Sequence, residues 1–215
     1  MTADPRSRLQ AIADELGVDL GDREGGRLLD YLALLQRWNA VYNLTAVRDP
    51  EAMLVQHLAD CLAVMPSLRR RLPAGRLLDV GSGGGLPGVV IASLIDEVDV
   101  TCVDTVGKKV AFLRQVAGVL GLRNLKAVHG RVETLRSEPF EVITSRAFAS
   151  LGDFTRLTEG LLAVDGAWMA LKGRVPGAEI AALPAAIEMF HVEPLEVPGL
   201  DAQRCLVWMR KRREG

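Results

Sequence analysis

The 215-residue sequence has no excess of either charge: 26 Lys and Arg stand against 27 Asp and Glu, a formal net charge of −1. That balance excludes a histone-like protein that coats nucleic acid by bulk electrostatics. It leaves room for one that meets nucleic acid through a local basic patch. Cysteine is scarce, and Cys61, Cys102 and Cys205 are far apart with no C-x-x-C spacing. Neither a disulfide framework nor a zinc knuckle follows, so buried free thiols in a reducing compartment are expected. His57, His129 and His191 show no metal-ligand spacing, and no metal is expected. Long apolar runs are missing too. The longest, Leu86 to Ile95, is about half a membrane span. The N-terminal stretch carries Asp4, Arg6, Arg8, Asp14 and Glu15 where a signal peptide needs an apolar core. A soluble, cytoplasmic protein without membrane contact is the expectation. No internal repeat or low-complexity tract is visible.

What is there is globular: 49% apolar and 25% charged residues, enough for one α/β domain and an appendage. Residues 1–75 read as a helical region. Leu28, Leu32 and Leu35 share one helical face, with Tyr31 and Trp38 beside them. Asp49-Pro50-Glu51 reads as an N-cap followed by proline at the first helical position, opening a helix through Leu54, Leu58 and Leu62. After Pro73-Ala74-Gly75 the rhythm changes. The β-rich runs Leu77–Val80, Val98–Val103, Leu125–Val128, Phe140–Thr144, Trp168–Leu171 and Cys205–Met209 alternate with amphipathic stretches such as Lys108 to Leu120. A further strand is expected near Met189–Val192. Such alternation predicts, for residues 76–215, a Rossmann-like α/β fold: a mainly parallel sheet with helices on both faces.

The strongest local feature is Leu77-Leu78-Asp79-Val80-Gly81-Ser82-Gly83-Gly84-Gly85-Leu86-Pro87-Gly88. An apolar strand runs into glycines, which let the chain turn sharply and a ligand lie on bare backbone. Gly83, Gly85 and Gly88 satisfy the dinucleotide pattern G-x-G-x-x-G. Gly81, Gly83 and Gly85 after Asp79 satisfy D-x-G-x-G-x-G, the first motif of S-adenosylmethionine-dependent methyltransferases. The second reading starts the glycines directly after the strand. Its carboxylate suits a cofactor bearing an ammonium and a sulfonium, whereas a pyrophosphate wants positive potential. Asp104 ends the next strand about twenty residues further on, where a carboxylate accepts from both ribose hydroxyls. It equally suits capping of the helix near Lys108.

These residues resemble a known family. The loop, Val103-Asp104-Thr105-Val106-Gly107-Lys108-Lys109-Val110-Ala111-Phe112-Leu113, Arg131-Val132-Glu133, Ser145-Arg146-Ala147-Phe148-Ala149 and Ala170-Leu171-Lys172-Gly173 are similar to the bacterial small-subunit ribosomal RNA methyltransferase G, or glucose-inhibited division protein B, family. So are Arg37-Trp38-Asn39, Tyr42-Asn43-Leu44-Thr45-Ala46-Val47 and His57-Leu58 with Asp60. The resemblance covers nearly the whole chain. It implies a class I methyltransferase that methylates N7 of guanosine 527 in the 530 loop of 16S ribosomal RNA. S-adenosylmethionine would be the donor and S-adenosylhomocysteine the product. It also implies cofactor positions at Gly81, Leu86, Val132, Glu133 and Arg146, the last also as the catalytic candidate. Thr105 stands where Ser is more usual.

Read by themselves, Val132-Glu133 could meet an adenine edge and face, or Glu133 could be a first-turn helix carboxylate. Arg146 could hold the methionine carboxylate, the target base or a phosphate, or sit in an ordinary ion pair. Guanine N7 presents an in-plane lone pair, so its methylation needs no general base and no metal. No N-P-P-Y or D-P-P-Y run marks amino-group methylation, and no cysteine pair marks C5 chemistry. Candidate RNA contacts are Asn39, Asn43 and Arg48 (with Thr45, or else a structural turn), Lys108, Lys109 and Lys172. Two basic runs, Arg69-Arg70-Arg71 near Arg76 and Arg210-Lys211-Arg212-Arg213, offer phosphate contacts or solvated faces. The expected partner is 16S ribosomal RNA, free, in the 30S subunit or in an assembly intermediate, met by a monomer. A small-molecule or protein methyltransferase, a cofactor-binding assembly factor and an NAD-dependent oxidoreductase are the competing readings.

Overall fold

The computed structural model describes residues 4–146 and 150–212. Helix α1 (Pro5–Glu15) opens on Asp4, whose carboxylate accepts the Ser7 N–H at 3.2 Å, with proline at the first helical position. Helix α2 (Asp22–Tyr42) buries Leu28, Tyr31, Leu32 and Leu35 on one face and ends at Asn43 in the left-handed conformation, φ 50°. Asp49 caps α3 (Pro50–Met53) by accepting the Ala52 N–H at 2.8 Å. The expected regular helix through Leu54, Leu58 and Leu62 is not uniform. Leu54–Ala59 is wound as a π-helix before α4 (Asp60–Leu62) and α5 (Met65–Arg71). Such wide turns recur at functional sites.

The strands are β1 (Gly75–Val80), β2 (Val98–Asp104), β3 (Leu125–His129), β4 (Phe140–Ser145), β5 (Leu162–Lys172), β6 (Ile187–Leu195) and β7 (Arg204–Lys211). Between them run α6 (Gly88–Leu94), α7 (Gly107–Leu120), α8 (Leu151–Thr158) and α9 (Gly177–Ala181). The sheet order is β3-β2-β1-β4-β5-β7-β6. β1 to β5 are mutually parallel, while β7 runs antiparallel to both β5 and β6. The chain therefore winds outward from β1 to β3, then crosses back to β4 on the other side of β1. Loops leaving β1 and β4 diverge at that reversal and open a crevice at the carboxyl ends of the strands.

Both sheet faces are covered, which is why the strands read as nearly continuous apolar runs. Successive side chains alternate in direction. Leu77, Val100, Val142, Leu206 and Trp208 join one apolar cluster, while Leu78, Val103, Ile143, Val207 and Met209 join the other. The N-terminal helices belong to the first cluster: Leu9, Ile12, Leu28, Tyr31 and Leu35 pack with Val89, Phe112 and Leu113 of α6 and α7. The three cysteines are buried free thiols. Among the described residues no helix is long and apolar enough to cross a membrane.

Candidate functional site

The glycine loop leaves β1 at the reversal. Gly81 and Ser82 donate their N–H groups to the Val103 carbonyl at 2.9 and 3.2 Å, and the Ser82 hydroxyl donates to the Asp79 carbonyl at 2.7 Å. Two glycines are required by space. A Cβ on Gly85 (φ 92°) would lie 2.4 Å from Leu113 Cδ2 and 2.5 Å from Val89 Cγ2. On Gly88 it would lie 2.6 Å from Cys102 Sγ and 2.8 Å from Asp79 Oδ2. These positions bring helix α6 against the sheet, and Leu86 between them is buried. Gly85, Gly88 and Leu86 thus support the loop from behind.

Asp79 departs from the expectation that it lies beside a ligand. Its side chain is fully buried beneath the loop, where Oδ2 accepts the Gly88 N–H at 3.0 Å. Oδ1 is buried without a hydrogen-bond partner. Burial pushes the carboxyl up to about 7, against the opposing effects of the Gly88 N–H and Arg146. The loop is braced from the helical region as well: the buried Tyr31 hydroxyl donates to the Gly84 carbonyl at 2.7 Å. Sequence reasoning placed Tyr31 only beside an apolar face. Its hydroxyl was the available signal, since a buried tyrosine O–H needs a partner.

In front of the loop, at the carboxyl ends of β1 to β3, lies a cavity of about 330 Å³. Gly81, Asp104, Val106, Lys109, Val132 and Glu133 line it. Asp104 is 6% exposed; Oδ2 accepts the Gly83 N–H at 2.9 Å and Oδ1 the Val106 N–H at 2.8 Å. Each oxygen keeps a second lone pair, so capping and ligand binding are compatible. Val132 is a buried apolar wall. Glu133 is exposed and 3.3 Å from Arg131. Its carboxyl is held below the usual value first by its own backbone N–H and then by Arg131. The two neighbouring lysines diverge. Lys109 lines the cavity, with Nζ 3.8 Å from Asp104 Oδ2, whereas Lys108 is exposed and off the wall. Lys109, read from sequence as an RNA contact, lines the same cavity as Asp104.

Arg146 is not on that wall. It lines a separate recess of about 350 Å³ with Gln56, His57, Asp60, Lys172 and Arg204. Arg146 Nη1 donates to the Gln56 carbonyl, in the π-helical turn, at 3.1 Å and lies 3.5 Å from Asp60 Oδ2. Arg204 Nε reaches Asp60 Oδ1 at 2.7 Å, so one buried carboxylate orients two guanidinium groups. Lys172 Nζ pairs with Glu179 at 3.0 Å. Three cations thus face one lining carboxylate. His57 Nε2 is 2.9 Å from Thr45 Oγ1, and its buried Nδ1 has no partner. Its pKa is lowered to about 4, by burial first and by Arg146 next. Asp60 and Arg204 were not read from sequence as a pair, since 144 residues separate them.

The polar residues after α2 hydrogen-bond to one another and to the turn that follows. Buried Asn39 accepts the Thr45 N–H at 2.9 Å and donates to the Val47 carbonyl at 3.4 Å, pinning the turn. Exposed Asn43 and Arg48 bond to each other at 3.0 Å. Their link to the recess is indirect, through Thr45 and His57. The basic runs end at the opposite, amino edge of the parallel strands, beside Glu141 and Gly166. Ala147, Phe148, Ala149 and Arg213 lie outside the described residues.

Similarity to known proteins agrees with this geometry. The family profile for rRNA small subunit methyltransferase G matches residues 26–207. A protein of Leptothrix cholodnii named ribosomal RNA small subunit methyltransferase G is 60% identical over 209 residues, 96% of each chain. One of the same name from an Acidovorax species is 58% identical over 208 residues, 92% of each chain. A crystal structure of a SAM-dependent methyltransferase from Aquifex aeolicus superposes with a TM-score of 0.55 at 15% identity, covering 75% of this chain and 93% of the other. That likeness speaks for the class I methyltransferase fold. With its reversal-point glycine loop, Asp104 cavity and near full-length identity, the chain belongs to the rRNA small subunit methyltransferase G family.

Proposed function

We propose that the protein transfers a methyl group from S-adenosylmethionine to N7 of guanosine 527 in 16S ribosomal RNA. The observation that carries this reading is the pairing of the Asp104 cavity with a cationic recess on the same sheet edge. The cavity fits the cofactor's nucleoside. Asp104 keeps lone pairs for the ribose hydroxyls, Val132 offers an apolar face for adenine, and the volume falls in the roughly 300–1,000 Å³ range of small-molecule sites. When bound, the cofactor supplies a methyl group made electrophilic by its sulfonium.

The chain's own residues then have a positioning task. Guanine N7 attacks with an in-plane lone pair, and no proton leaves, so neither a general base nor a metal is asked for. Arg146, oriented by Asp60 and the Gln56 carbonyl, together with Arg204 and Lys172, offers N–H donors to the RNA phosphate or to guanine O6. Arg146 is thereby assigned to the substrate rather than to the methionine carboxylate. Asp79 braces the glycine loop. The protein acts in the cytoplasm, as a monomer, on RNA within the 30S subunit.

Mapping N7-methylguanosine in 16S RNA from cells with and without the gene tests the proposal. Loss of the modification at position 527 alone is the expected result. An unchanged methylation map would overturn it, as would purified protein that transfers no labelled methyl to unmodified 30S subunits.

A further inference from the structure

Two basic runs remain unused by the reaction edge, and the fold brings them together. Arg69–Arg71 close α5 and Arg210–Lys211 close β7, because β7 runs antiparallel and delivers its last residues to the amino edge of β4 and β5. There they flank a groove of about 470 Å³ lined by Arg70, Arg71, Phe190, Arg210 and Lys211, with Glu141 and Asp165. Four cations therefore face two carboxylates. Glu141 is already engaged, accepting the Arg76 N–H at 2.7 Å. Arg70 pairs with Glu193 at 3.1 Å and Arg210 with Glu188 at 3.1 Å.

Arg71 is different. Its guanidinium carbon lies 4.7 Å from the Trp208 ring centroid and 5.3 Å from that of Phe190. Among the described residues no salt bridge joins a carboxylate to Arg71 or to Lys211, and Asp165 of the same lining is itself engaged. Aromatic faces hold a guanidinium in place without using its N–H donors, which remain for a planar anionic partner such as phosphate.

We propose that this groove is a second RNA-docking surface, which takes the phosphodiester backbone of ribosomal RNA away from the target guanosine. The proposal rests on the ribosomal RNA reading above. Charge argues for it: a chain of net charge −1 binds a polyanion only through local patches, and this groove is the patch that both basic runs build. Strands of six residues separate it from the reaction edge by about 20 Å at roughly 3.3 Å per residue. A short oligonucleotide bound at the reaction edge does not reach it, whereas a folded subunit spans both. The groove thus gives preference for a large, structured substrate.

The test is the Arg71→Gln/Lys211→Gln double variant, with Lys211→Gln alone as the control for damage to the Arg71–Trp208 packing. Binding to unmethylated 30S subunits is followed against salt, beside binding to protein-free 16S RNA and methylation of a short 530-loop hairpin. Expected for the double variant is a fall of about 2 in the slope of log affinity against log salt, about 1 for Lys211→Gln. KM for 30S subunits should rise about tenfold at physiological salt, with kcat, cofactor affinity and hairpin methylation unchanged. An unchanged salt slope for both variants overturns the proposal. Equal loss on the short hairpin does so too, by placing the effect at the reaction edge. A loss on 30S subunits but not on protein-free RNA assigns the groove to a ribosomal protein and refutes the RNA assignment. If the unaltered protein methylates no 30S RNA, the functional reading itself fails, a result distinct from all of these.

Discussion

Asp104 bears the most direct test of the proposed cofactor site. Replacing it with alanine removes the acceptor for Gly83 N–H at 2.9 Å, the acceptor for Val106 N–H at 2.8 Å and both lone pairs assigned to the ribose. The side chain is 6% exposed, so water cannot freely replace it. Leaving such groups unpaired costs about 1–3 kcal/mol. That corresponds to roughly 5- to 150-fold weaker binding of S-adenosylmethionine by calorimetry. Part of the loss comes from a loosened loop, and a cycle separates the two. S-adenosylhomocysteine and its 2′-deoxy analogue are each titrated into the unaltered protein and into Asp104→Ala. If Asp104 holds the ribose, removing the 2′-hydroxyl weakens binding to the unaltered protein and leaves the variant indifferent. An equal effect of the deoxy change on both proteins would refute the ribose contact and leave Asp104 as a brace alone.

Three further outcomes are expected. Tyr31→Phe keeps the ring packed on Phe112 but strips the Gly84 carbonyl of its donor, so denaturant unfolding should show a loss of about 1–3 kcal/mol, with weaker cofactor binding; unchanged values would dismiss the brace. His57, lowered from 6.5 to about 4, resists protonation in the folded state while the unfolded chain takes up a proton, so stability should fall as pH drops from 6.5 towards 4. The contribution is on the order of 3 kcal/mol, and His57→Asn should flatten that part of the pH profile of urea midpoints. Asp79 acts with the opposite sign: its folded value of about 7 lies above the ordinary 3.8, so the native state keeps a proton that the unfolded chain has released. Stability should therefore decline as pH rises from about 4 to 7, and Asp79→Asn should gain on the unaltered protein over that window. Parallel pH profiles for the two would rule this out.

Much of the glycine loop and the Asp104 cavity was legible because their determinants are local. A glycine run directly after a strand, and a carboxylate ending the next strand, specify a turn and an acceptor whatever lies around them. Asp79 shows the limit. Its place at the end of a strand is local, but only the packing of Gly88 against it shows the carboxylate buried beneath the loop. Lys108 and Lys109 show another limit. Neighbours on a helix point about 100° apart, and the docking of α7 decides which of them meets the cavity.

From sequence alone came the α/β class, the strand positions, the glycine loop with Asp104 and the family resemblance. All of these depend on residue types within a few positions of each other, where periodicity and backbone freedom act directly. Tertiary structure alone decided which charges share a site. Asp60 meets Arg146 and Arg204 across 86 and 144 residues because β4 ends, and antiparallel β7 begins, beside the end of the π-helical turn. The two basic runs meet each other, and not the reaction edge, because β7 runs antiparallel. Strand order and strand direction set those encounters, and both are fixed by how the helices and strands pack into one core, not by any short stretch of chain.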